Sequence, residues 1–180
     1  MNRRMLLQRA GIVIGLTLFV RTPTYAEDTK MTPLQTVQAY YNLLTAKPSR
    51  EVLDTQLDDQ LVAEEGPLGV RLVGKETVWQ FATTRDTARE GRESPSRIQC
   101  HEYFGTAERG VVRWTWTFRG DVITPLFGLD PMERDIVVEG LALVTFRDGK
   151  LATLSEFYDG AEMLRQVGAK IPAPQSRKPD

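Results

Sequence analysis

The spacing of apolar residues changes once along this chain, from helical to alternating. In the first half, Thr32-Pro33 reads as a helix start, with threonine as the cap and proline at the first helical position. Leu34, Val37, Tyr41 and Leu44 then recur at helical spacing, with Tyr40 beside that stripe. Pro48-Ser49 interrupts the pattern, and SREVLDTQL begins a second helix with Ser49 as its cap. LVAEEGPLGVRLVG follows as a short strand and a Gly-Pro turn, and GKETVWQFATTRDTA predicts a third helix with Val78, Phe81 and Ala82 facing inward.

From residue 97 the period is two. RIQCHEYFGT, GVVRWTWTFRG, DIVVEGLALVTFRDG and KLATLSEFYD read as four strands. Trp114, Trp116 and Phe118 share one face of the second; Arg113, Thr115, Thr117 and Arg119 share the other. Asp148-Gly149 is a hairpin signal between the last two, and a short helix, GAEMLRQVG, begins after Asp159. Helices first and strands afterwards predict an α+β fold: three N-terminal helices packed on a strongly curved antiparallel sheet that encloses a conical pocket. Glycines at 105, 120 and 140 fit the bends such curvature needs.

Composition narrows the function classes. With 180 residues, 41% hydrophobic and 26% charged, the chain has enough apolar surface for one core. Formal charge is −1, but four of the 23 basic residues and none of the 24 acidic ones precede Glu27, so the remainder carries −5. No basic surface for nucleic acid is implied. Residues 1–26 read as an export signal: MNRR, the apolar run GIVIGLTLFV, and a small-x-small cleavage pattern at Thr24 and Ala26. Arg3-Arg4 within NRRMLLQ suits a twin-arginine signal or an ordinary positive start. The expectation is a bacterial periplasmic or secreted protein with no stable membrane insertion after cleavage. Residues 27–31 read as a linker, 32–168 as the domain, and 169–180 as a disordered Pro-rich tail. Cys100 is alone, so no intramolecular disulfide forms, and its strand position suggests a small buried residue. His101, the single histidine, excludes multi-histidine metal sites; it shares a strand face with Gln99 and Tyr103 and reads as a surface residue.

In this order of elements, and above all in WTWTFRGDVITPLFGLDPMERDIVVEGLALVTFRDGKLATLSEFYDGAEMLRQVG, Trp114 to Gly168, the chain resembles the SnoaL-like polyketide cyclase and ester cyclase family. That family lies within the ketosteroid-isomerase-like, nuclear-transport-factor-like, cystatin-like cone fold. Gly120, Gly128, Pro131, Val137, Asp148-Gly149-Lys150, Asp159, Leu164, Gln166 and Gly168 keep its framework across residues 32–168. Asp121-Val122 replaces the family's Thr-His, and Met132-Glu133 its Thr-Gly. A mechanism using that histidine cannot operate unchanged here.

The resemblance implies that Asp159 is an acid/base group, a role that competes with its position as a helix N-cap. It also sets Glu65, with Glu64 beside it, near the proton-shuttling carboxylate of ketosteroid isomerases, and Tyr41 near their oxyanion-binding tyrosine. Their second donor maps to Ala142, which leaves that constellation incomplete. Asp159, Glu65 and Tyr41 are therefore the catalytic candidates. Tyr40, Trp79, Arg113, Trp116, Phe127, Glu139 and Tyr158 are the substrate-binding candidates, with Arg113 able to clamp an anion or to pair with Glu139 across strands. The apolar stretch of GDVITPLFGLDPMER reads as a lid over the pocket mouth or a contact with a second subunit. The expected function is cofactor-independent acid/base chemistry, with no metal, on a small and mostly apolar carbonyl or cyclic compound: cyclisation, isomerisation, dehydration or hydrolysis. The competing expectation is a non-catalytic binder or dimeric interaction module, and a homodimer is expected in either case.

Overall fold

The computed structural model describes residues 31–89, 96–123, 128, 130 and 132–170. The expected export signal, most of the lid segment, Phe127 within it, and the tail from residue 171 lie outside the described residues. The elements run α1 (Pro33–Thr45), α2 (Arg50–Gln56), β1 (Leu57–Glu65), β2 (Val70–Val73), α3 (Lys75–Arg89), β3 (Arg97–Gly105), β4 (Arg109–Arg119), a single turn α4 (Gly120–Ile123), β5 (Asp135–Arg147), β6 (Lys150–Tyr158) and α5 (Gly160–Gln166). No helix among them is long and apolar enough to cross a membrane.

Local chemistry sets the helix starts. Thr32 and Gln35 form a reciprocal capping box on α1, with proline in its first turn. Ser49 accepts from the Val52 amide at 3.4 Å to cap α2. Asp148 and Gly149 both take positive φ, 53° and 79°, the backbone that a two-residue hairpin requires to match strand twist.

The strands form one six-stranded sheet in the order β2-β1-β6-β5-β4-β3. The α+β cone fold is present, with one refinement: β1 and β6 pair in parallel, so the sheet is mixed. The segment expected as a short strand and a turn is two strands, the first nine residues long. Leu57, Leu61 and Ala63 of β1 are buried, and burying them draws this early strand onto the free edge of the last. The long chain between them makes the parallel crossover possible. Register shifts in β1, in β3 and between β5 and β6 bend the sheet toward its helices. The β3 shift, between Cys100 and Glu102, separates two residues expected on one face. His101 is exposed and bonds Thr115 Oγ1 at 2.8 Å, whereas Tyr103 turns inward to pack edge-on against Phe146.

Alternation is otherwise strict. Val112, Trp114, Trp116 and Phe118 of β4, and Ile136, Val138, Ala142, Val144 and Phe146 of β5, make the buried face against α1–α3. Gly140 interrupts the β5 series because a Cβ there would lie 2.3 Å from Cζ2 of Trp114, so the indole occupies the missing side chain's place.

Two glutamines close strand edges. The Gln38 side chain of α1 accepts from the Cys100 amide and donates to the Ile98 carbonyl, both at 2.8 Å, as a seventh strand would. The Gln166 side chain of α5 does the same for Val137, accepting at 3.2 Å and donating at 3.0 Å. This explains why a glutamine stands in the helix after the hairpin. Leaving strand groups unpaired under a helix is costly. Gln38→Leu should therefore lower unfolding stability by about 2–4 kcal/mol in urea titrations, whereas Gln80→Leu on exposed α3 surface should change it by less than about 0.5 kcal/mol.

Candidate active site

Between the sheet's concave face and α1 and α3 lies a cavity that opens to solvent. Its wall is largely apolar, with Ala63, Leu72, Phe81, Ile98, Trp116 and Leu154 among the residues that form it. Polar residues of this wall include Tyr40, Glu65, Arg85, Glu156 and Tyr158. Such a mostly apolar concavity with a few convergent polar groups suits a small organic ligand.

The strand register dictates how the carboxyls meet. Alternation on β1 turns Leu61, Ala63 and Glu65 inward, and on β6 it turns Leu154, Glu156 and Tyr158 inward. Glu65 and Glu156 are direct partners across the parallel pair. Neighbouring strands lie about 4.8 Å apart, so two carboxyls share one enclosed space. Burial, and then the Glu65 charge, push Glu156 up to about 8 despite the Tyr41 hydroxyl beside it. Burial also raises Glu65, but the Tyr158 hydroxyl, donating to its Oε1 at 2.8 Å, and the Arg85 cation oppose that rise. The two carboxyls are therefore coupled, with burial weighing more on Glu156 than on Glu65. Glu156 keeps some solvent access because it faces the cavity, while protein surrounds the rest of it.

Aromatic packing holds this arrangement. The Trp114 ring, seated over Gly140, meets Tyr158 edge-on at 5.8 Å and Tyr41 at 6.1 Å. Tyr41 is fully buried behind Glu156, and its hydroxyl faces that carboxyl outside strict hydrogen-bond geometry. Buried polar atoms without a partner are rare, and Tyr41 Oη and Trp114 Nε1 are two of them at one site. Ala142, where the resemblance left the second donor missing, lies directly across from Glu156. The carboxyl thus stands on the adjoining strand.

The cavity brings together Tyr40, Glu65, Trp116 and Tyr158 from the sequence candidates, with Tyr41 immediately behind them. It does not include Asp159, which is exposed and caps α5 by accepting from the Glu162 amide at 2.8 Å. Asp159 ends β6 one residue beyond the inward-facing Tyr158, and its carboxylate is committed to the helix start. Glu139 is exposed. Arg113 pairs with Glu102 at 3.0 Å and not with Glu139, because the β3 register shift sets Glu102 opposite it. Trp79 packs at the core edge under the Arg50 guanidinium. Asp121, which replaces the threonine of the family's Thr-His, is 3.8 Å from Arg119 and outside the cavity wall. Glu64 points away from Glu65 and pairs with Arg71 at 2.8 Å. Among the described residues, no cluster of histidine, cysteine and carboxylate side chains is placed to hold a metal ion.

Two residues at the centre of the site, Glu156 and Arg85, were absent from the sequence candidates. A signal for Glu156 did exist: it shares a period-two face with Leu154 and Tyr158, and a charge on an apolar strand face is unusual. Arg85 had no such mark, since α3 carries many polar residues near its end.

This geometry defines a cone-fold protein with a small-molecule cavity. The chain belongs to the SnoaL-like polyketide cyclase family, whose model matches residues 35–167. Among solved structures it is similar to IdmH, described as a putative polyketide cyclase from Streptomyces antibioticus, with 18% identity and a TM-score of 0.58 over 77% of this chain and 100% of that one. It is also similar to a ketosteroid-isomerase-like protein from Catenulispora acidiphila, in complex with trimethylamine, with 12% identity and a TM-score of 0.57 over 78% and 96% of the two chains. A third similar structure is TerC co-crystallised with polyporic acid, with 14% identity and a TM-score of 0.53 over 76% and 98%. At these identities the likeness concerns the fold. No curated protein matches the sequence.

The raised carboxyl has a stability signature. Folded protein keeps the Glu156 proton up to about pH 8, while the unfolded chain releases it near its ordinary value of 4.5. Between those limits the folded state binds more protons, so stability falls as pH rises. The unfolding free energy from urea titrations should drop between pH 5 and pH 8.5, by roughly 2–4 kcal/mol for a buried carboxyl, and Glu156→Gln should flatten that slope.

Proposed function

We propose that this chain is an exported, cofactor-independent enzyme that moves a proton on a small, mostly apolar carbonyl compound. The observation that carries the reading is the registered pair Glu65 and Glu156 in one apolar cavity. Glu65, ionised, removes a proton from carbon next to the substrate carbonyl. Glu156, protonated, donates a hydrogen bond to the carbonyl oxygen as negative charge develops there. Tyr158 holds the base, and Tyr41 positions the acid from behind. Return of the proton to a different atom gives isomerisation, and attack of the enolate carbon on an electrophile in the same molecule gives cyclisation. The family membership and the neighbour bound to polyporic acid support a cyclic carbonyl ligand. The segment MNRR through Ala26 is what supports export, to the periplasm or beyond the cell.

Proton abstraction can be read without the natural substrate. The wild type should accelerate exchange of the α-hydrogens of 2-tetralone for deuterium, followed by NMR. Glu65→Gln should lose about 10²–10⁴-fold of that rate, and Asp159→Asn should keep it within about threefold. The wild-type rate should also decline above about pH 8 as Glu156 loses its proton. Saturable binding of the ketone with no exchange above the background rate would instead support a non-catalytic binder.

A homodimer through the outer sheet face belongs to the same proposal. Leu141, Leu143 and Phe157 lie together there, 46%, 50% and 54% exposed, with Leu141 and Phe157 directly paired across β5 and β6. Sedimentation equilibrium should give a dimer for the wild type and a monomer for Leu143→Arg. A monomeric wild type at 100 µM, a concentration of about 10⁻⁴ M well above ordinary dimer dissociation constants, would rule the dimer out.

A further inference from the structure

Arg85 is a charged group of the cavity wall that takes no part in the proton transfer itself. It projects from α3 into the cavity wall with its guanidinium over the Phe81 ring at 5.3 Å. Arg50, Arg71, Arg113, Arg119, Arg147 and Arg165 each pair with a carboxylate. Arg85 has no ion pair or hydrogen bond among the described residues. The nearest cavity carboxylate, Glu65, influences it through space but is engaged by Tyr158. A half-buried guanidinium with its donors unspent is expensive to keep, and a bound anion would relieve that cost.

We propose that Arg85 selects the class of ligand: a mostly apolar, ring-bearing compound that carries a carboxylate or a comparably acidic enol. The inference rests on the small-molecule reading of the cavity and adds the charge of its occupant. Arg85 and the carboxyl pair line the same cavity, and the Arg85 guanidinium lies over Phe81. An anion against Arg85 sets the apolar part of the ligand on the wall that Tyr40, Phe81 and Trp116 form. Glu65 opposes that anion, and direct contact with the guanidinium favours it, since Coulomb energy is greatest at contact. A planar guanidinium also fits a carboxylate with two parallel bonds, which adds orientation to attraction.

A matched pair of probes separates this inference from the reading beneath it. 2-Naphthoate and methyl 2-naphthyl ketone have the same ring system and differ in charge. Titration calorimetry at pH 7.5 should show the wild type binding naphthoate at least about tenfold more tightly than the ketone, the expected scale of a partly desolvated ion pair. Arg85→Met, verified as folded by circular dichroism, should lose that preference, read as the ratio of the two affinities; Arg85→Lys should retain part of it. Equal binding of both probes by the wild type, binding of the ketone alone, or a preference that survives in Arg85→Met would overturn the role of Arg85 and leave the cavity reading intact. Failure of both probes to bind the wild type would overturn the two together.

Discussion

Two carboxyls held side by side in an apolar cavity resist being charged together, and the rest of the site is arranged around that constraint. It follows from one pairing, β1 parallel to β6, which sets Glu65 beside Glu156 in register. Their surroundings then make them unequal. Tyr158 and Arg85 favour charge on Glu65, whereas Glu156 is enclosed by Tyr41, Cys100 and the core. The same low-polarity wall that raises Glu156 raises the Cys100 thiol to about 12, so that residue serves as a small apolar group. One environment thus treats two carboxyls unequally and keeps a thiol protonated.

The sheet that carries the pair is kept in shape by devices outside the cavity. Gln38 and Gln166 supply the amide groups that an additional strand would have supplied, which ties α1 to β3 and α5 to β5. Gly140 gives up its own side chain so that Trp114 can lie across β5 toward Tyr158. Widening that slot is not an option, since a Cβ would overlap the indole. The chain from Gly140 through Trp114 and Tyr158 to Glu65 therefore links backbone packing to the base.

Much of the fold was legible residue by residue. Thr32-Pro33, Ser49 and Asp148-Gly149 announce local structure because capping and hairpin turns depend on a few adjacent atoms. The period-two runs announce β3 to β6 because each strand buries one face. Glu65 and Tyr158 were readable as site candidates, and so was Asp159, whose carboxylate the fold spends on the α5 cap. Glu156 was legible only as a charge on the wrong face of a strand. The β3 bulge was not legible, and it alone separates Tyr103 from His101 and turns Arg113 to Glu102.

By itself, then, the sequence determined the helices, the alternating strands, the hairpin and the family framework, because those depend on neighbours within a few residues or on one buried face. Only the tertiary structure decided that β1 lies parallel to β6, that Glu156 faces Glu65, and that Arg85 enters their cavity. Residues 65, 85 and 156 are far apart in the chain, and no local pattern encodes which of them share a space from which water is largely excluded. Their charges acquire meaning from proximity and desolvation, and both of those exist only once the sheet has closed around the site.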